Sequence, residues 1–209
     1  EQLPSSDELA LAKALRADDY VRGRVGPDAA GVKVEAMLVL TRDNTLTQPL
    51  PASTGPRADR AVATLVEAIK DARKQLDNEK ACMNFARDNK FDDAIKAADE
   101  GIAEYPQATL VRYCKMNVLA RREAPAAEQL AMAKEILAID PNSKAALAVA
   151  ADQAQAAGLK DEANDYLVRL LATNPQDAQL ASRVIDALAA SGKLDLAKQV
   201  VLKAVADNP

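Results

Sequence analysis

The sequence predicts a mainly α-helical chain of about four helix–turn–helix repeats stacked as a solenoid, with a small helix plus β-hairpin module in front. The first observation behind this prediction is a period: four prolines recur at separations of 35, 34 and 34 residues. They are Pro106, Pro141, Pro175 and Pro209, which close the similar segments AEYP, AIDP, ATNP and ADNP. A repeat of this length is typical of solenoids, in which each unit packs on its neighbours.

The composition supports close packing of helices. Apolar residues make up 49% of the 209 residues and aromatic residues only 3%, with alanine supplying much of the apolar content. Alanine is the best helix former. Its small side chain also lets neighbouring helices approach closely, which favours helix-on-helix packing over a β-sandwich or barrel.

Charge and hydropathy narrow the range of partners. The 27 basic and 31 acidic residues are interspersed and give a net charge of -4. Without a basic stripe, we expect no nucleic-acid partner. No apolar run approaches the roughly 18 residues of a spanning helix, so we expect no membrane span in this chain.

Residues 1–47 do not follow the period and are predicted to form a small α/β module. Apolar residues at helical spacing predict a helix over 7–17. Apolar stretches on either side of the turn 26–31 predict strands over 19–25 and 32–41. The expected order is therefore helix, strand, turn, strand.

A linker and a further helix are expected between this module and the repeats. Residues 48–58 (QPLPASTGPRA) are rich in Pro, Ser and Gly, which predicts a linker. An apolar stripe then predicts a helix over 59–74 that leads into the repeats, so that the solenoid as a whole covers 59–209.

Each repeat contains two amphipathic stretches split by a short turn. The repeats are expected at 75–108, 110–143, 144–177 and 178–209, with turns at Asn89, Pro125, Gly158 and Gly192. A proline after each second helix ends it, because the residue before proline resists the α conformation. Solenoids need a polar cap, and none follows Pro209, so we expect the chain to continue or another chain to cover this end.

This pattern resembles the tetratricopeptide repeat (TPR) family. The third repeat carries the family's small and large apolar positions with Leu147, Ala150, Ala151, Ala154, Gly158, Ala163, Leu167, Leu170 and Pro175. The resemblance implies a right-handed helical solenoid that binds a protein or peptide. The run LAKALRADDYVRGRVGPDAAGVKVEAMLVLTRDNTL in turn resembles the small α/β domain of TolB amino-terminal, FlgO and CsgG-like envelope proteins, although a plain β-hairpin packed on the first helix explains it equally well.

The TPR resemblance implies ligand positions along the concave surface of the first helices. The candidate ligand-binding residues are Glu79, Met83, Arg87, Val118, Arg121, Arg122, Asp152, Gln155, Ser182 and Asp186. The arginines are expected to make one half of this groove basic and the aspartates the other half acidic. Lys and Asn, with which chaperone-tail binders of the family clamp a terminal carboxylate, are missing here, which disfavours that function. Solvated side chains without a ligand remain the alternative.

The two cysteines, Cys82 and Cys114, fall on the first helices of adjacent repeats. Packed helix axes lie about 8–10 Å apart, and a disulfide needs Cα atoms within about 7 Å. A disulfide is therefore feasible, and two buried thiols are the alternative.

The sequence offers no catalytic constellation. The absence of His removes the commonest general base, and two cysteines without His disfavour a zinc site. The segment RGRVGPDAAG lacks the spacing of a phosphate-binding loop and precedes a strand. We therefore expect no enzyme activity, no catalytic residue, no metal and no cofactor.

The leading functional hypothesis is a non-enzymatic protein–protein interaction scaffold of a bacterial cell envelope or exported assembly. Its location would be periplasmic or extracellular, with the cytoplasm as the alternative. Two other functions stay open: a structural subunit of a homo-oligomer or filament built from copies of the chain, and a regulatory fragment of a larger enzyme.

Overall fold

The computed structural model describes residues 5–29 and 31–207. One helix and four strands come first: α1 (Ser5–Ala14), β1 (Asp19–Asp28), β2 (Gly31–Leu40), β3 (Asp43–Pro49) and β4 (Ser53–Gly55). The helices that follow are α2 (Ala58–Arg73), α3 (Leu76–Arg87), α4 (Phe91–Glu104), α5 (Leu110–Arg121), α6 (Ala126–Ile139), α7 (Lys144–Ala156), α8 (Lys160–Thr173), α9 (Ala178–Ala190) and α10 (Leu194–Asp207). The chain forms two compact units, Glu1–Val118 and Leu119–Pro209. Pro209, on which the expectation about the chain end rested, lies outside the described residues.

The first unit contains a four-stranded antiparallel sheet centred on β2. Strand β1 pairs along the whole of β2, from Asp19↔Leu40 to Asp28↔Gly31, while β3 and β4 pair with β2 on its other edge. The expected helix plus hairpin is thus confirmed. Helix α1 ends earlier than expected, at Ala14, and Arg16 follows with a positive φ of 55° that does not continue a helix.

Helices cover both faces of this sheet. Val34 lies in a cluster with Leu50 and with Ala61, Leu65 and Ala72 of α2, so α2 covers one face. Met37 lies three residues along the strand and therefore on the opposite face. On that face Arg22, the cross-strand partner of Met37, forms an ion pair with Glu8 of α1 at 3.5 Å.

The expected linker over 48–58 is wrong as a description of this segment. Its residues complete β3 and form β4, and Gln48, Leu50 and Ser53 are buried. Ser53 Oγ donates a hydrogen bond of 2.8 Å to the carbonyl of Ala61. Proline, serine and glycine here mark tight turns within a packed domain rather than a flexible connection.

Two fully buried glutamines join the sheet to the first helices of the repeats. Gln75 Oε1 accepts a hydrogen bond from the backbone N–H of Leu110 at 2.9 Å, at the start of α5. Gln48 Oε1 accepts one from the N–H of Thr109 at 2.7 Å and one from Gln75 Nε2 at 2.9 Å. The first turn of a helix has N–H groups without partners inside the helix, and these side chains satisfy them.

Small apolar residues fill the rest of the first unit. Helices α3 and α4 and the part of α5 up to Val118 share a core that includes Ala94, Ala98, Cys82, Val111 and Val118. Gly101 allows α4 and α5 to approach closely, since an added Cβ would lie 2.8 Å from Val111. The alanine-rich composition therefore serves tight helix packing, as the sequence predicts.

In the second unit each helix packs against its neighbour in sequence, from α6 to α10. Ala146, Ala150 and Ala154 form a fully buried stripe along α7. They repeat every four residues and so lie on one face of the helix.

The period of the sequence is the period of the structure. Helices α3, α5, α7 and α9 begin at Leu76, Leu110, Lys144 and Ala178, a spacing of 34 residues. A residue with positive φ follows each of them: Asn89, Glu123, Gly158 and Gly192. The turn expected at Pro125 is instead made by Glu123 (φ 55°), and Pro125 begins the next helix as its N-cap residue. Proline's fixed φ suits the first turn of a helix, not a left-handed position.

Candidate functional site

The candidate site is the exposed face shared by helices α7 and α9 in the second unit, here called the α7–α9 face. It consists of Asp152, Gln155, Ser182, Arg183 and Asp186. All five side chains are exposed. Asp152 and Arg183 form an ion pair, which shows that the two helices present these side chains to one another.

Side-chain caps fix where these two helices begin. Ser143 Oγ accepts a hydrogen bond of 3.1 Å from the N–H of Ala146, and Asp177 accepts one of 2.9 Å from the N–H of Leu180. Each cap satisfies a backbone donor of the first turn. Behind each cap, a buried apolar stripe holds the helix: Leu147 and Ala151 on α7, for example, are almost fully buried. The polar side chains of the α7–α9 face are therefore carried by two helices that are capped at their N-termini and packed into the core.

Helix α8 is tied to α6 by a polar cluster around Glu162. Lys134 lies 2.6 Å from the Glu162 carboxylate, and the Tyr166 hydroxyl donates to it at 2.8 Å. The hydrogen bonds from Lys134 and Tyr166 hold the pKa of Glu162 below its ordinary value. Burial, followed by the bond to Glu162, raises the pKa of Tyr166 to about 12. Because these groups are engaged with one another, they support the fold and are poor candidates for proton transfer.

The other sequence-predicted residues of the second unit are Arg121 and Arg122. Both side chains are exposed at the end of α5. The basic patch expected from these two arginines together with Arg87 draws on both units, and it stays a prediction.

In the first unit only part of the expected groove is accessible. Met83 is 37% exposed and Arg87 is exposed, with its Nε 3.7 Å from Asp88. Glu79 and Val118, by contrast, are buried, with exposures of 2% and 0%. The expectation that these two residues face a ligand is wrong: Val118 packs in the apolar core, and Glu79 accepts two hydrogen bonds from Arg42.

The pair Arg42–Glu79 lines a cleft of about 700 Å³ beside the strand ends. A second ion pair, between Arg73 and Asp19 at 3.0 Å, lines the same cleft. Burial raises the pKa of Asp19, and Arg73 offsets part of that shift. Glu79 and Asp19 are each held by an arginine of the same chain, and these two ion pairs connect the sheet region to α3 and α2.

Cys82 and Cys114 form a disulfide, with Cα atoms 6.4 Å apart. Both residues are buried in the core of the first unit. The bond joins α3 to α5, the first helices of two successive repeats.

The described residues offer no site for metal chemistry. Within 5–29 and 31–207, no three Cys, Asp or Glu side chains are grouped where they could hold a metal ion. Nor does this part of the chain contain a helix with the length and apolar character to cross a bilayer.

Sequence reasoning missed Arg183 and Arg42, the two arginines that occupy predicted site carboxylates. Arg183 falls one residue after Ser182, outside the groove positions that the TPR resemblance implies. Arg42 lies in the front module, 37 residues from its partner. No spacing rule within the repeats points to either residue.

Comparisons with known proteins identify the fold. No family model and no curated protein matches the chain. Among solved structures, it is similar to YrrB, described as a TPR protein with an unusual peptide-binding site (TM-score 0.53, 18% identity, covering 69% of this chain and 74% of that one). It is also similar to MamA (0.52, 17%, 64% and 73%) and to the first TPR of Spaghetti (RPAP3) bound to the HSP90 peptide SRMEEVD (0.50, 16%, 58% and 96%). These likenesses confirm the TPR fold predicted from the period.

Proposed function

We propose that this chain, with its TPR fold, is a non-enzymatic scaffold that holds a peptide or protein partner. The observation that carries the proposal is the α7–α9 face: five exposed polar side chains on two capped helices with fully buried backs. Two of the similar structures are described by their peptide sites, one with an unusual peptide-binding site and one bound to an HSP90 peptide. Those descriptions concern other proteins, and they support a peptide as the ligand class here.

The chemistry of the α7–α9 face favours an extended peptide. Gln155 and Ser182 offer both donors and acceptors, which match the alternating N–H and C=O groups of an extended backbone. Asp186 offers a carboxylate to a basic side chain of the peptide. The exposed ion pair Asp152–Arg183 contributes little to stability, so its partners are available for exchange with charged groups of a ligand.

The pKa shifts of the second unit argue against catalysis. The strongly shifted pKa in the second unit belongs to Tyr166, which is tied to Glu162. A catalytic group instead needs a pKa near the working pH and a reacting partner in reach.

We further propose that the chain works in an oxidising compartment, the periplasm or the exterior of a bacterial cell. The disulfide between Cys82 and Cys114 supports this, because such bonds persist outside the reducing cytosol. Alkylation of protein taken directly from cells, followed by mass spectrometry, should find both cysteines blocked. Two freely alkylated cysteines would contradict the location.

Peptide binding is tested by selecting ligands from a random peptide library with the full chain. Fluorescence anisotropy then compares the wild type with the double variant Gln155→Ala/Asp186→Asn. We expect affinity to fall at least about tenfold, because the amide of Gln155 and the negative charge of Asp186 are lost. The matched control, Gln199→Ala/Asp165→Asn, changes the same residue types on the second helices α8 and α10 and should bind as the wild type. An equal loss of peptide affinity in both variants would contradict the proposed site.

A further inference from the structure

Strand β1 is an open sheet edge. It pairs with β2 on one side, and the described residues contain no strand on its other side. The N–H of Thr41 donates to the carbonyl of Asp18, which makes that pair a hydrogen-bonded one. Since hydrogen-bonded and non-bonded pairs alternate along an antiparallel ladder, the even residues of β1 bond to β2. The backbone groups of Val21, Gly23 and Val25 therefore point outward.

Exposed apolar side chains flank this edge. Val21 and Val25 of β1 are 41% and 63% exposed, and Leu11 and Leu15 of α1 are 53% and 71% exposed. These four residues line one groove of about 640 Å³ between α1 and β1. Proteins usually protect an edge strand with charges, proline or a covering segment. Here Pro27 removes one outward donor, and four outward-facing residues before it are left available: Asp19, Val21, Gly23 and Val25.

The amino-acid sequence of this edge is symmetric. Residues 21–25 read Val-Arg-Gly-Arg-Val, which is the same in both directions about Gly23. We propose that two copies of the chain dimerise by pairing their β1 strands antiparallel about a two-fold axis at Gly23. This inference is independent of the peptide site proposed on α7 and α9.

The two-fold pairing satisfies the outward groups of both edges. Gly23 faces Gly23 of the other copy, and Val21 faces Val25 of the other copy twice. All of these are hydrogen-bonded pairs, so the outward N–H groups of these three residues in each strand find carbonyl partners. A two-residue shift that moves the axis to Arg24 would place Val21 opposite Pro27, which has no N–H to donate to the Val21 carbonyl. The two sheets become one continuous sheet, and the exposed edge disappears.

Neighbouring carboxylates offset the charge repulsion between the arginines in this pairing. Arg22 of one copy falls opposite Arg24 of the other, and like charges in that position repel. Each arginine, however, already lies beside a carboxylate of its own copy: Arg22 beside Glu8 and Arg24 beside Glu35. The interface thus holds four arginines and four carboxylates.

The exposed apolar groups lie on both faces of the joined sheet: Val25 is the cross-strand partner of Val34 on the face covered by α2, whereas Leu11 and Leu15 lie on α1, on the opposite face. A two-fold axis between antiparallel strands is perpendicular to the sheet, so α1 of each copy lies on the same face. Leu11 and Leu15 of both copies then flank the joined strands. Burying these leucines and the two Val21–Val25 pairs favours association.

The test must spare Gly23, because a Cβ there would lie 2.6 Å from the Glu35 carbonyl and would disturb β1 against β2 in the monomer. Val25→Pro removes an outward N–H that the monomer does not use, and Val25→Thr keeps it in a side chain of similar shape. By sedimentation equilibrium we expect a wild-type dimer, a dimer for Val25→Thr, and dissociation at least about tenfold greater for Val25→Pro. A wild type that is monomeric up to about 100 μM, or equal association of both variants, would overturn the proposal.

Crosslinking tests the register without depending on the proline variant. Val21→Cys and Val25→Cys face each other across the dimer, at the roughly 5.5 Å Cα separation of a hydrogen-bonded pair. A mixture of the two single variants should form an interchain disulfide on mild oxidation, and neither variant alone should do so. Crosslinking of each variant with itself, or of none, contradicts the two-fold at Gly23.

Discussion

Gln75 acts as a helix cap from outside the helix that it caps. Its Oε1 accepts from the N–H groups of Leu110 and Val111, at 2.9 and 3.4 Å, although it lies 35 and 36 residues earlier in the chain. Its Nε2 donates to Gln48 and to the carbonyl of Ala72. One buried amide thus links the sheet, the end of α2 and the start of α5.

Replacing Gln75 with Ala should lower the free energy of unfolding of the first unit by about 3 kcal/mol, because several buried polar groups lose their partners. Urea denaturation of the full chain measures this. The control Gln155→Ala removes an exposed glutamine and should change stability by no more than about 0.5 kcal/mol. Equal effects from the two substitutions would mean that the buried network does not hold the first unit together.

The phenol of Tyr166 should lose its proton at an unusually high pH. Burial and the bond to Glu162 raise its pKa from 10.0 to about 12. A raised pKa means that the folded state favours the protonated phenol, so this stabilisation is complete below pH 10 and is lost as pH rises through about 12. Absorbance titration of wild type against Tyr166→Phe isolates its midpoint. In a Glu162→Ala background the same difference titration should show a lower midpoint, and an unchanged one would show that Glu162 contributes nothing.

At single positions, sequence reasoning succeeded where the helix period alone decides exposure. Asp152, Gln155, Ser182 and Asp186 are exposed on first helices, as their positions in the repeat require. Val118 occupies the same position in its helix as Asp152 and Asp186, yet it is buried in the first unit's apolar core, whose residues on α3 and α4 lie far away in sequence. Glu79 lies three residues after the start of α3, which matches the buried Leu147 and Ala181 rather than the exposed Ser182. The expected register of the first repeat was therefore off by one residue.

At the scale of elements, the turn inside each repeat is set by one left-handed residue. Gly158 and Gly192 take this role without strain, whereas Glu123 carries a Cβ at φ 55°. The N–H of the residue after each turn bonds back to the first helix, for example Ala124 to Leu119 and Leu159 to Ala154. The bonding pattern is shared, and the residue at the left-handed position differs.

Glu123→Gly should therefore stabilise the second unit by about 1 kcal/mol, since left-handed conformations cost non-glycine residues about that much. The reverse change, Gly158→Ala, should destabilise it by a similar amount, although nothing lies within 4 Å of the added Cβ. Both are measured by chemical denaturation. If the two substitutions change stability in the same direction, backbone conformation is not what fixes these turns.

The segment 48–58 shows why element prediction failed in the front module. Its prolines, serine and glycine are the residues of a linker, and short strands such as β4 (Ser53–Gly55) leave no periodic signal. Gln48 is buried because Gln75 and Thr109 surround its amide. From sequence alone, a polar residue is predicted to be exposed when its hydrogen-bond partners lie far away along the chain.

At the scale of the whole molecule, the 34-residue spacing of first helices was readable from prolines alone, because each repeat must end its second helix in the same way. The division into two units was not readable. The first unit extends from the front module to Val118, within the second repeat, and it holds the disulfide and the buried glutamines. Which positions of the first helices are exposed therefore depends on the unit in which a repeat lies as well as on the repeat register.

The central claim is that the exposed face of the first helices holds a peptide. Amide chemical shifts of the full chain, recorded by NMR during titration with a library-selected peptide, test it most directly. We expect the largest changes in amide chemical shift around Asp152, Gln155, Ser182 and Asp186 on α7 and α9. Shifts confined to the second helices α8 and α10, or to the edge strand β1, would contradict it.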